Sequence, residues 1–137
     1  MDIQTLVFNR WQVCVEAPIG AKLRISEMSP GTVPPYAIAE FATKDVPINA
    51  GRSMQEHTVR ITVYDPDERK IQQIFTACGF NSTVPMGFHR ADIGDNTVKA
   101  VARITDAGLP KIEPDPPLGG GRCYSRVLVL FVRTGSK

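Results

Sequence analysis

Apolar residues Ile3, Leu6, Val7, Trp11 and Cys14 recur three and four positions apart, a spacing that predicts a helix over residues 2–15 with one buried face. Asp2 can cap its first turn, and Pro18 and Gly20 end it. KLRISEM, from Lys22 to Met28, alternates Leu23 and Ile25 with Lys22, Arg24 and Ser26 and predicts a half-buried strand. After the breaker-rich SPGTVPP, YAIAEFAT predicts a second strand. HTVRITVYD predicts a third, with Val59, Ile61 and Val63 on one side and Thr58, Arg60, Thr62 and Tyr64 on the other. VPINAGRSMQE, between these two, is long for a tight turn and reads as a projecting loop.

Asp65, Pro66 and Glu68 supply a cap, a first-turn proline and a carboxylate at the third helical position. The helix they open buries Ile71, Ile74, Phe75 and Cys78 and ends at Gly79, where a left-handed residue is wanted. Beyond a segment without clear periodicity around Val84 to Ile93, NTVKAVARITD and RCYSRVLVLFVRT predict two long strands, joined by the loop GLPKIEPDPPLGGG. The order is helix, three strands, helix, then two or three strands, with no repeat and no dividing linker. It predicts one domain over residues 1–137, of the α+β class: a mainly antiparallel sheet of about five strands with two helices packed on one face.

Two helices cover one face of such a sheet. The last strand nevertheless carries Val127, Val129 and Phe131 on one side and Leu128, Leu130 and Val132 on the other. Burying each such side chain stabilises by roughly 1.5–3 kcal/mol. Either loops cover the second face of a central strand, or that face is a contact between subunits.

Charge narrows the partners. Sixteen Lys and Arg against fourteen Asp and Glu give a formal +2, and the pI of about 8.5 falls short of the value near 9, with clustered basic residues, that marks a dedicated nucleic-acid binder. Cys14, Cys78 and Cys123 are odd in number and far apart, which suits neither a disulfide framework nor a zinc site and fits a reducing compartment. MDIQTLVFNRW lacks the basic start and apolar core of a signal peptide, and no apolar run reaches a membrane span, so assembly in a cytoplasm without membrane attachment is expected.

Groups able to do chemistry are few. His57 opens a strand, His89 lies in the aperiodic segment, and neither belongs to a metal-binding pattern. Cys14 and Cys78 occupy apolar helix faces, where a thiol acts as a small hydrophobe, while Cys123 sits at a loop edge beside Arg122. Asp65, Asp67 and Glu68 are explained by capping, and Asp92 and Asp95 flank Gly94 in a turn composition. Gly119–Gly121 lead into a strand, whereas a phosphate cradle leads into a helix. No catalytic residue, metal or cofactor is expected.

From PPYAIAEF through EHTVRITVYDPDERKIQQIFTACGF the chain resembles the small tail-completion proteins, or tail terminators, of long-tailed bacteriophages and gene transfer agents. The match lies in Pro35, Tyr36, Ala37 and Ile38, in the alternating strand Glu56 to Tyr64, in a helix face matching Ile71, Ile74 and Phe75, and in VARITD and SRVLVLFVRT as the last two strands. The long GLPKIEPDPPLGGG connection departs from the family pattern. The resemblance implies a structural virion subunit forming a homo-oligomeric, hexameric ring at the head-proximal end of the tail. Its implied partners are the major tail tube protein and a head-closure or neck protein, with DNA passing through the lumen without sequence-specific binding. A closed ring requires two different patches on each subunit. Candidate interface residues are Lys44, Asn49, Arg52, Arg103, Arg122, Arg126, Leu128 and Leu130, with projecting loops at residues 44–55 and 109–122. Another head–tail connector component is the alternative reading, and a host enzyme or small-ligand module using His57 or His89 a more distant one.

Overall fold

The computed structural model describes residues 2–25, 34–47, 53–114 and 123–136. Among them the elements are a helical N-terminal segment, seven strands and one further helix, arranged as helices on one side of a mixed sheet. The N-terminal segment, α1, is an α-helix over Ile3–Trp11 that continues through a π-helical turn, Gln12–Glu16, into a last α-helical turn, Ala17–Ile19. Asp2 caps it by accepting from the Thr5 amide at 2.8 Å, and Gly20, at φ +92°, closes it.

The π turn has a local cause. Pro18 has no amide hydrogen, and its ring presses on the carbonyl four residues back, at Cys14. Widening the turn relieves that pressure, and the Ala17 amide bonds to the Gln12 carbonyl instead. The buried face therefore drifts: Leu6, Val7 and Trp11 lead to Val15, while Cys14 is only half-buried. A strict 3.6-residue reading chose Cys14. Trp11 is tied down by its indole Nε1, which donates to the Ala21 carbonyl at 2.8 Å inside the core.

The strands are β1 Lys22–Ile25, β2 Tyr36–Pro47, β3 Ser53–Asp65, β4 Ala91–Asp92, β5 Val98–Ala107, β6 Lys111–Glu113 and β7 Cys123–Ser136, and the second helix, α2, spans Glu68–Ala77. The sheet order is β1-β2-β3-β7-β5-β4, with β6 also on β7. It is larger than the expected five strands and not wholly antiparallel, because β1 pairs β2 in parallel. Period-two alternation fixes which side of β1 faces the core; it carries no information on the direction in which the strand runs.

Two presumed loops are partly strand. β2 and β3 stay paired to Pro47↔Ser53, so most of the expected loop at 44–55 is the end of a long hairpin whose residues 48–52 lie outside the described ones. β6, read as loop because prolines bracket it, pairs the end of β7 from Lys111↔Ser125 to Glu113↔Cys123, in line with β5.

At α2 the cap is Asp67, whose carboxylate accepts from the Arg69 amide at 2.9 Å; Asp65, expected in that role, accepts from the Asp67 amide at 2.7 Å and holds the turn before it. The helix starts two residues late because Pro66 leaves Asp65 in extended backbone, paired with Tyr124. Its C-terminus is a Schellman closure: the Phe80 amide reaches the Phe75 carbonyl and the Gly79 amide the Thr76 carbonyl, both at 3.0 Å, and the Phe75 and Phe80 rings meet edge-on.

One core unites both helices with the inner face of the sheet. Val59, Ile61 and Val63 of β3 and Leu128, Leu130 and Val132 of β7 are fully buried beneath Trp11, Val15, Ile71, Ile74 and Phe75. Gly79 is the backbone pivot of this layer: its φ is +93°, and a Cβ there would collide with the Met86 carbonyl oxygen. Gly79→Ala is expected to cost at least about 2 kcal/mol, from the left-handed backbone and the clash together, measured as a lower urea midpoint at unchanged slope.

Candidate functional site

The face of the sheet away from the helices is assembled row by row from strand register. Across β2, β3, β7 and β5 the outward positions read Lys44, Glu56, Arg133 and Val101, then Ala42, Thr58, Phe131 and Arg103, then Glu40, Arg60, Val129 and Asp106. Val127, Val129 and Phe131 form a half-buried apolar stripe along β7, and the residues around them are largely exposed. The far end of this face is closed: Tyr36, Ile38, Cys123 and Ser125 are buried, and the Tyr36 and Tyr64 rings stack 5.1 Å apart.

Phe131 is the most elaborated point. The guanidinium carbons of Arg103 and Arg133 lie 5.8 and 5.6 Å from its ring centre, within the range of cation–π attraction, and Arg133 also pairs with Glu56 at 3.2 Å. Val101, Arg103, Phe131 and Arg133 line a shallow groove of about 230 Å³. Such an arrangement suits contact with another macromolecular surface: apolar area in the middle, and charged groups of both signs on its rim.

The expected interface residues scatter. Lys44 and Arg103 stand exposed on this open face. Asn49, Arg52 and Arg122 lie outside the described residues. Leu128 and Leu130 belong to the opposite face and are fully buried in the core, so neither is available at the surface of the subunit. Arg126 shares their side and is only 9% exposed. Its guanidinium packs 4.4 Å from the Phe75 ring and 5.0 Å from that of Phe80, with Nε donating to the Gly108 carbonyl at 2.6 Å and a terminal nitrogen to Gln72 Oε1 at 2.9 Å. It fastens α2 and the β5–β6 junction to β7. Burial lowers its pKa, with Glu68 opposing.

Arg126, in phase with Leu128 and Leu130, thus lies on the buried side of β7. The residues that do face outward, Val127, Val129 and Phe131, are in phase with Arg133, and that terminal charge was the usable signal.

The groups with chemical potential are occupied elsewhere. His57, on the helix side, has Nδ1 2.9 Å from Thr43 Oγ1 and Nε2 3.0 Å from Thr134 Oγ1. Burial lowers its pKa, opposed by Asp45. His89 pairs main-chain groups with Met86 in a two-residue bridge. Burial raises the pKa of the Cys78 thiol strongly and that of Cys123 less. Asp95 accepts from the Thr97 and Val98 amides, and Asp92 from those of Gly94 and Ala100. Among the described residues no group of three His, Cys, Asp or Glu could hold a metal ion, and no helix is long and apolar enough to cross a membrane.

No protein-family model matches the chain, and no curated protein matches it.

His57 generates a test. Because its folded pKa lies below the unfolded value of 6.5, its contribution is fully present above that value and is lost as pH falls through the folded pKa. Urea unfolding at about pH 7.5 and about pH 5.5 is expected to show a loss of stability that is smaller in His57→Gln, which cannot take up the proton.

Proposed function

We propose that this chain is a structural assembly subunit, a tail terminator that closes into a ring on the end of a tail tube, stops its growth and offers the docking surface for the head or neck. The observation that carries the reading is the sheet's asymmetry. Both helices lie on one face, while the other presents the stripe Val127, Val129 and Phe131 ringed by Arg60, Arg103, Arg133, Glu40, Glu56 and Asp106.

That face supports subunit contact in two ways. Its apolar centre gains from removal of water, and its rim of alternating charge favours one register of docking over others. The end of the β2–β3 hairpin adds a second element, since its paired arms run on past His57, the last position of β3 in that direction that is buried among the described residues. The resemblance to tail-completion proteins supplies the particular assembly: identical subunits, a tube protein on one side of the ring, a neck protein on the other, and a lumen that passes DNA without reading its sequence.

The test uses a particle that depends on this chain. Without the protein, tail tubes are expected to grow past their normal length and to lack heads, and labelled protein is expected at the head-proximal tail end. Tubes of normal length joined to heads would refute the reading. Val129→Lys, at a half-buried open-face position, is expected to change unfolding stability by less than about 1 kcal/mol yet abolish complementation. Leu130→Ala, one residue away in the core, is expected to cost about 2–5 kcal/mol.

A further inference from the structure

The end of the β2–β3 hairpin is joined to the rest of the sheet by unequal ties. Beyond Val59, towards the hairpin tip, the described strands meet it only through β7, where Gln55, Glu56 and His57 pair Thr134, Arg133 and Val132. On the open face the side-chain tie across that junction is Glu56 to Arg133, an ion pair whose arginine side chain is 59% exposed, and such pairs contribute little in water. On the helix side the tie is His57, which is buried.

His57 reaches both ways from β3. Its Nδ1 meets Thr43 Oγ1 on β2 and its Nε2 meets Thr134 Oγ1 on β7, so one ring spans three adjacent strands. The uncharged ring suits two hydroxyls: one nitrogen donates, the other accepts, and a hydroxyl can take either part. A proton on the second nitrogen removes the acceptor. The hydroxyl that donated to it must turn its hydrogen away, and a cation is left in a site closed to water.

Little nearby offsets that charge. Across from the ring stand Thr43 on β2 and Val132 on β7, and Thr134 is paired with Ala100 of β5, all uncharged. Lys44, Glu56 and Arg133 lie on the opposite face of the sheet. Among the described residues the charged group that acts on the ring is Asp45, an exposed carboxylate that already accepts from Gln55 Nε2 at 3.0 Å. It favours the proton, and burial outweighs it.

We propose that His57 is a proton-operated clasp: uncharged, it holds the hairpin end against β7, and on taking up a proton it releases that end while the rest of the sheet stays paired. The clasp belongs to the subunit alone and does not rest on the ring reading. Its size has a ceiling. In the released arm the imidazole titrates at its ordinary 6.5, so between about pH 7.5 and about pH 5.5 the opening constant rises by at most about tenfold.

The test is hydrogen exchange of the full chain, resolved by residue and corrected for intrinsic rates, at about pH 7.5 and about pH 5.5. Amides that join residues 55–57 to residues 132–134 are expected to exchange through an opening at least about tenfold more frequent than the one that exposes the amides of Val59, Ile61 and Val63. That opening constant is expected to rise about three- to tenfold on acidification. In His57→Gln, whose amide offers a donor and an acceptor at either pH, the rise is expected to fall below about twofold. Thr134→Val, which removes the partner on β7 and keeps its shape, is expected to raise the opening constant at about pH 7.5 at least about threefold, as loss of one hydrogen bond implies. Junction amides that open only together with the centre of β3 would overturn the proposal. So would an opening constant that ignores pH, one that rises equally in His57→Gln, or one that Thr134→Val leaves unchanged.

Discussion

The pairing of β3 with β7 is the constraint on which the structure depends. These long central strands are antiparallel over eleven residue pairs, from Gln55↔Thr134 to Asp65↔Tyr124. Their register sets Val59, Ile61 and Val63 beside Leu130, Leu128 and Arg126 on one face. A slip of one residue would move the whole set to the other face. Because that register is fixed, both helices pack on one side, and the other side is left with valines, a phenylalanine and charged residues.

Arg126 shows how the arrangement handles a polar residue on the buried side. Its guanidinium meets two ring faces, a backbone carbonyl and an amide oxygen, so a charge in an apolar layer keeps hydrogen bonds and cation–π contact. In doing so it links the end of α2, the β5–β6 junction and β7.

The sequence was readable where pattern and packing coincide. Alternation in HTVRITVYD named the buried side of β3, and the composition of ADIGDN named a turn in which Asp92 and Asp95 accept backbone hydrogen bonds. Gly79 marked the end of α2 through its left-handed backbone. Other features follow from forces that local pattern does not encode. Strand direction in β1 depends on where the chain enters from α1, and β6 is too short for alternation to register. The choice of β7's outward face was obscured because both faces are aliphatic and an arginine lies on the inner one. Of the candidate interface residues, Lys44 and Arg103 stand on the open face.

The central claim is that identical copies cover the apolar surfaces this subunit leaves outside its own core. Light scattering coupled to size separation, on the purified full chain at micromolar concentration, measures this directly. The account predicts a single species of six times the 15.0 kDa chain mass. A species of 15.0 kDa that persists unchanged to the highest attainable concentration would contradict it.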